Sequence, residues 1–349
     1  MHILLNNNFF RLSGLLHVGA YLLLALSGQA AAQTAQEVNI YSYREPQLIR
    51  PLLDVFREKT GIRVNVINAE SGLIERLRVE GERSPADLLL TTDISSLTDI
   101  KAAGLTQPVT ATSLVEKIPS HLRDPQGHWF GVTKRARVVV TAKDRVAHDA
   151  VRSYIDLADL RWQGRICTRS GKHKYMRALF AAQVEHQGAS DAKNWLTGLK
   201  NNLARKPQGN DRAQIRAVAA GECDLALVNN YYLFVMLNDP RQRPYAERVR
   251  VVFPDQQGHG THMNISGMAL ARHAPNRSAA LQLMEFLVSP QGQQIYTELV
   301  GEYPVLQNAP YSELLQSWGR FKEDKLSLSR IAANRGAALR LVNEIGYDE

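Results

Sequence analysis

Short apolar runs along this chain alternate with stretches whose apolar residues recur every three to four positions. "EVNIYSY" (37–43) reads as a strand, and "QLIRPLLDVFREKTG" behind it keeps helical spacing until Gly61 ends it. "IRVNVI" alternates as a strand, "GLIERLRVEGER" reads as a helix, and "ADLLLTT" after Ser84-Pro85 reads as a buried strand. "DISSLTDIKAAG" opens on an aspartate N-cap and closes on a glycine. A β-α-β-α-β opening of this kind predicts a parallel sheet with helices on both faces.

A second series starts after "HWFGVTKRA". "RVVVTA" (137–142) and "GRICTRS" (164–170) are predicted strands, followed by a helix from about Tyr175 to His186 and by the helical "DAKNWLTGLKNNLA". "DRAQIRAVAAGEC" is a further helix, "DLALVNN" and "RVRVVFP" (248–254) are further strands, and a glycine-rich turn leads into "NISGMALA" (264–271). The chain ends in helical segments and holds no internal repeat or low-complexity linker. Two α/β series without a flexible linker predict two lobes, each a mixed and mostly parallel sheet flanked by helices, joined by crossover strands. "RVVVTA" and "NISGMALA" are the crossover candidates. The expected division is 36–136 with 264–300 for lobe 1, and 137–263 with 301–349 for lobe 2, which takes the C-terminal helices. Such a chain closes on its ligand by hinge motion. Ligands of open α/β sheets lie beyond the carboxyl ends of the strands, which points to "YSYRE", "LTTD", "TRSGKHKY" and "VNNYY".

The first 32 residues stand apart from this pattern. Arg11, the apolar core "LLHVGAYLLLALSG" and "AAA" at 30–32 have the order of a cleavable export signal, and no later segment is apolar for long enough to span a bilayer. An exported, soluble, monomeric protein is expected. Without Arg11 the chain carries 41 basic against 34 acidic residues, scattered rather than clustered. Nucleic-acid binding lacks the one-sided footprint it needs, whereas attraction of small anions fits. Cys167 and Cys223, the two cysteines, face an oxidising compartment as either a disulfide or two buried thiols.

The chemistry gathers at tyrosines. Tyr231 and Tyr232 follow the carboxyl end of "DLALVNN"; on a strand they would face opposite ways, but in a helical turn they diverge by only about 100°. Alone, such a pair is more often two half-buried rings. Tyr175 adds a third phenol at the carboxyl end of "GRICTRS". Three phenols suit a hard cation that prefers oxygen, and a trivalent iron ionises phenols whose free pKa is near 10. The loop "SGKHK", with Ser170, offers N–H groups to an anion at a helix start, and Arg44, Arg135 and Arg137 offer planar forks for carbonate or carboxylate.

The stretches "VNIYSYREPQLIRPLLDVFREKTGIRVNVI", "SPADLLLTTDIS", "WFGVTKRARVVVTAKDRV", "GRICTRSGKHKYMRALFAA", "LARKPQGNDRAQIRAVAAGECDLALVNNYYL" and "HGTHMNISGMALARHAPN" resemble the periplasmic ferric-ion-binding proteins that serve iron-import ABC transporters. The resemblance runs through almost all of the mature chain. It implies the two-lobed periplasmic binding protein fold of type II, Tyr175, Tyr231 and Tyr232 as iron ligands, and delivery of Fe(3+) to an inner-membrane permease. Where some members have a His-Tyr pair after the first strand, this chain has Ser42-Tyr43-Arg44-Glu45. That departure resembles the branch in which carbonate or bicarbonate completes the shell, with Arg44 and Arg135 as its partners and Tyr43 in an anion-contacting role. The resemblance also implies that Cys167 and Cys223 pair.

Other features have plainer readings. "HGTH" (259–262) lacks the glutamate and third ligand of a zinc site and is expected to be a turn before a crossover strand. "ARKPQGNDRAQ" reads as a charged loop leading into a helix with Asp211 near its start, either a solvated turn or a border of the cleft. Competing functions are a two-lobed carrier of a small anion or polyamine, which would not need three tyrosines, and a secreted enzyme. G-x-S-x-G, H-E-x-x-H and Walker motifs are absent from the sequence.

Overall fold

The computed structural model describes residues 36–349, so the export signal read over 1–32 lies outside the described residues. Nine strands form: β1 (Glu37–Ser42), β2 (Arg63–Asn68), β3 (Leu88–Thr91), β4 (Phe130–Ala142), β5 (Ile166–Cys167), β6 (Leu225–Asn229), β7 (Val249–Val252), β8 (Met263–Leu270) and β9 (Tyr303–Pro304). The helices of eight or more residues are α1 (Pro46–Thr60), α2 (Leu73–Glu80), α3 (Ile94–Ala102), α4 (Lys174–Asn201), α5 (Asp211–Ala220), α6 (Asn230–Asn238), α7 (Arg277–Leu287) and α8 (Leu328–Glu344).

Local chemistry explains the elements. On α1, Ile49, Leu52, Leu53 and Phe56 recur at helical spacing and are buried, and Gly61 ends the helix in the left-handed region with its N–H on the Arg57 carbonyl. Each such side chain contributes roughly 2 kcal/mol by leaving water. The Asp93 carboxylate caps α3 by accepting from the Ser96 N–H at 3.2 Å. Within α4, Gly188 (φ 82°) interrupts the helical backbone, so the two predicted helices sit on either side of one residue that tolerates this conformation.

The strands lie in the order β2-β1-β3-β8-β4-β6-β5, with β7 and β9 also paired to β4. The sheet is mixed, but parallel pairing does not dominate it. Parallel pairs are β1–β2, β1–β3 and β5–β6, whereas β8 meets β3, and β4 meets β6, β7, β8 and β9, all antiparallel. The reason is that the crossover strands enter beside the parallel sets in the opposite sense. β4 is longer than "RVVVTA": residues 130–136 pair with β8, and residues 137–142 pair with β6 and β7. One strand thus belongs to both halves of the sheet. Trp129 and Phe130 are buried where β4 begins. Among the described residues no helix is long and apolar enough to cross a membrane.

Cys167 and Cys223 are joined in a disulfide with their Cα atoms 5.9 Å apart. It ties the end of β5 to the turn that enters β6, the two strands that precede the tyrosines.

Candidate metal centre

β6 is buried along its whole length, and its last residue, Asn229, turns the chain into α6. Tyr231 and Tyr232 therefore fall in the first helical turn, with their rings stacked 4.2 Å apart between centres. Tyr175 is the second residue of α4, and its backbone N–H donates to the capping His173 Nδ1 at 3.2 Å. All three tyrosines are buried. Burial pushes the Tyr231 phenol far above its ordinary pKa, and negative charge on Tyr175 or Tyr232 pushes it the same way. Tyr232 is raised as well, by burial first and then by Tyr175 and Asp211. The mutual electrostatic influence places the three phenols in one neighbourhood, with Tyr231 and Tyr232 costly to ionise unless a cation joins them.

Side-chain cations surround the rings. The Arg135 and Arg169 guanidinium carbons lie 5.2 and 5.3 Å from the centre of the Tyr175 ring, and the Lys174 ammonium lies 5.9 Å from it. Arg212 lies 4.9 Å from the centre of the Tyr232 ring.

Two buried carboxylates organise the arginines; the sequence marked Asp211 at a helix start but gave no sign of Glu302. Glu302 accepts both terminal nitrogens of Arg44, at 3.2 and 3.1 Å, lies 3.8 Å from Arg135 Nη1, and accepts the Thr133 hydroxyl. Arg135 also donates to the Ser266 hydroxyl at 2.8 Å, the Ile265 carbonyl at 2.9 Å and the Thr92 carbonyl. Burial opposes the Glu302 charge, but Arg44 and Arg135 outweigh it and hold its pKa below the usual carboxylate range. Asp211 accepts Arg137 at 2.6 Å, Arg169 at 3.0 Å and the Asn229 N–H at 2.8 Å. Burial opposes its charge too, and Arg137 and Arg169 prevail. The "ARKPQGNDRAQ" segment is thus not wholly a solvated turn, because Asp211 is fully buried. The buried Nε–H groups of Arg44, Arg135, Arg137 and Arg169 have no hydrogen-bond partner.

The expected anion-contacting residues separate. Arg44 and Arg135 converge on Glu302, with their Nε–H groups left over. Arg137 is engaged by Asp211, the Asn229 side chain at 3.1 Å and the Leu227 carbonyl at 2.9 Å. The Tyr43 hydroxyl accepts the Ile74 N–H at the start of α2, at 3.2 Å. Ser170 donates to Asp348 near the C-terminus at 2.7 Å. "HGTH" is a turn ahead of β8, as its sequence suggests; His259 stacks on His186, which contacts Asp324 at 2.7 Å.

Residues 83–322 match the family model described as bacterial extracellular solute-binding protein. Iron uptake protein A1 of Synechocystis is 42% identical over 315 residues, covering 89% of this chain and 88% of its own. The apo ferric ion-binding protein A of Pasteurella haemolytica superposes with a TM-score of 0.86 at 48% identity, over 90% of this chain and 99% of the other. The Trichodesmium protein IdiA (FutA), solved with iron and citrate ligands, superposes with a TM-score of 0.85 at 41% identity, over 89% and 99% of the two chains. This chain, two-lobed like these neighbours, belongs to the bacterial extracellular solute-binding protein family.

Proposed function

We propose that this solute-binding protein captures ferric ion in the periplasm and hands it to an inner-membrane ABC importer. The observation that carries the reading is the burial of Tyr175, Tyr231 and Tyr232 together at the starts of two helices, among Arg135, Arg169, Lys174 and Arg212. Names of relatives that cite iron uptake and ferric-ion binding support it.

In this reading Tyr175, Tyr231 and Tyr232 ligate the ion as phenolates, between lobes formed by 36–136 with 264–300 and by 137–263 with 301–349. Three phenolates neutralise Fe(3+) and leave coordination positions for a small anion such as carbonate. The unpartnered Nε–H groups of Arg44 and Arg135 are the donors for that anion, because Glu302 and neighbouring oxygens already engage their terminal nitrogens. Citrate is the alternative anion, since one neighbour was solved with it.

Titrating purified apo-protein with ferric citrate, with and without bicarbonate, is expected to give a visible phenolate-to-iron band that Tyr175→Phe and Tyr231→Phe remove. Iron binding retained in both variants would overturn the ligand set, and no uptake by the native chain would overturn the function. A band indifferent to bicarbonate would remove carbonate from the shell. Each phenol must lose a proton to bind, so affinity should fall about tenfold per pH unit for each ionising phenol as pH drops below neutrality.

A further inference from the structure

The segments that bring up the tyrosines also carry cations that reach the other half of the sheet. Lys174, directly before Tyr175, donates to the Thr92 hydroxyl at 2.7 Å and lies 3.5 Å from the Asp93 carboxylate. Arg212, in the first turn of α5 and stacked over Tyr232, lies 3.7 Å from the Glu45 carboxylate. Thr92 and Asp93 stand at the carboxyl end of β3, and Glu45 follows β1. Lys174 and Arg212 belong instead to helices packed around β5 and β6. Farther from the tyrosines, Arg335 on α8 pairs with Asp99 on α3 and donates to the Ser95 carbonyl at 3.2 Å.

We infer that Lys174 and Arg212 are positioning residues that hold the cleft closed over the tyrosine centre; the inference rests on the ferric reading above. Each cation lies over the ring of a ligand tyrosine on its own side and meets a carboxylate across the cleft. Opening separates each cation from its carboxylate, so Coulomb attraction favours the closed form. Asp93 strengthens the bridge. It is almost fully buried, and although burial opposes its charge, Lys174, the Ser96 N–H and hydroxyl, and Arg135 hold its pKa down. Drawing Lys174 away leaves that buried carboxylate short of a partner. Arg212 and Glu45 are more exposed and form the weaker bridge.

The test uses the mature chain carrying Lys174→Met, Arg212→Met or both, with Lys174→Arg as the conservative control. Small-angle scattering of the metal-free protein reads closure without reference to iron. The double variant should have the larger radius of gyration, and Lys174→Arg should restore the native value. On iron-loaded protein, release to excess chelator, followed by decay of the visible band, should quicken about fivefold for Lys174→Met and about twofold for Arg212→Met. Tyr175→Phe, in contrast, should abolish the band itself. A double variant with native scattering would overturn the bridging role whether or not iron binds. Loss of the band from the native chain would overturn the ferric reading separately.

Discussion

Two buried clusters flank the tyrosines, and each contains two arginines and one carboxylate. Arg44, Arg135 and Glu302 join the end of β1 to β4 and to the segment before β9, all on the half of the sheet built around β1 and β8. Arg137, Arg169 and Asp211 lie within the other half, where Asp211 also holds the Asn229 N–H at the end of the strand that launches Tyr231 and Tyr232. Each cluster carries a net charge of +1 on its side chains. The difference lies in attachment: the Asp211 cluster fixes the backbone that aims Tyr231 and Tyr232 from their own half, whereas the Glu302 cluster fixes Arg135, which reaches the Tyr175 ring from the other half.

The largest contrast should come from removing the carboxylates. Asp211→Ala leaves two arginines buried without a counter-charge and should cost about 3–5 kcal/mol in urea unfolding. Glu302→Gln keeps an accepting oxygen and should cost about 1–3 kcal/mol. Bicarbonate should recover part of the second loss and none of the first. Equal recovery in both would erase the distinction.

Next in size is the disulfide, which staples the Asp211 side alone. Closing a separation of 56 residues constrains the unfolded chain by about 4 kcal/mol. Cys167→Ser with Cys223→Ser should lower the unfolding free energy by up to that amount and leave the bicarbonate response intact.

The smallest effect concerns His262, whose carbonyl accepts the Arg137 N–H at 2.9 Å and whose two ring nitrogens have no partner. Burial lowers its pKa to about 4, so its contribution is complete above the unfolded value of 6.5 and is lost as pH falls toward 4. The loss is at most about 3 kcal/mol. Burial raises Asp255 to about 6, so protonation relieves its penalty as pH falls from 6 toward 4, in the opposite direction. His262→Leu should therefore gain in melting temperature over the native chain on acidification from pH 6.5 to 4. A constant difference across that range would exclude His262 as the source.

Elements with one buried face were legible in the sequence. The apolar spacing of α1, the aspartate cap of α3, the glycine break in α4 and the turn at Asn229 all follow from nearest-neighbour chemistry. The first half of β4 was missed because Thr133, Lys134 and Arg135 interrupt its apolar alternation, and the ladder with β8 forms it nonetheless. β5 shrank to two residues because only Ile166 and Cys167 find a partner on β6. The tyrosines were visible as a motif, since Tyr231 and Tyr232 follow β6 almost directly and Tyr175 follows β5 after one short loop. Their carboxylate supports were not, because Arg44 and Glu302 lie 258 residues apart and nothing local marks the pair.

The shared strand β4 has a consequence best put as a lever. Its 13 residues extend about 40 Å, and the handover from β8 to β6 and β7 falls between Ala136 and Arg137. A rotation of one half against the other has its fulcrum there. Arg135 lies beside that fulcrum, and Arg137 pairs across the ladder with Asn229, two residues before Tyr231. Displacement grows with distance from a fulcrum, so residues beside it keep their spacing while the outer strands travel the long arc. In the ferric reading proposed above, an ion thus lands on an assembled seat before the far side arrives.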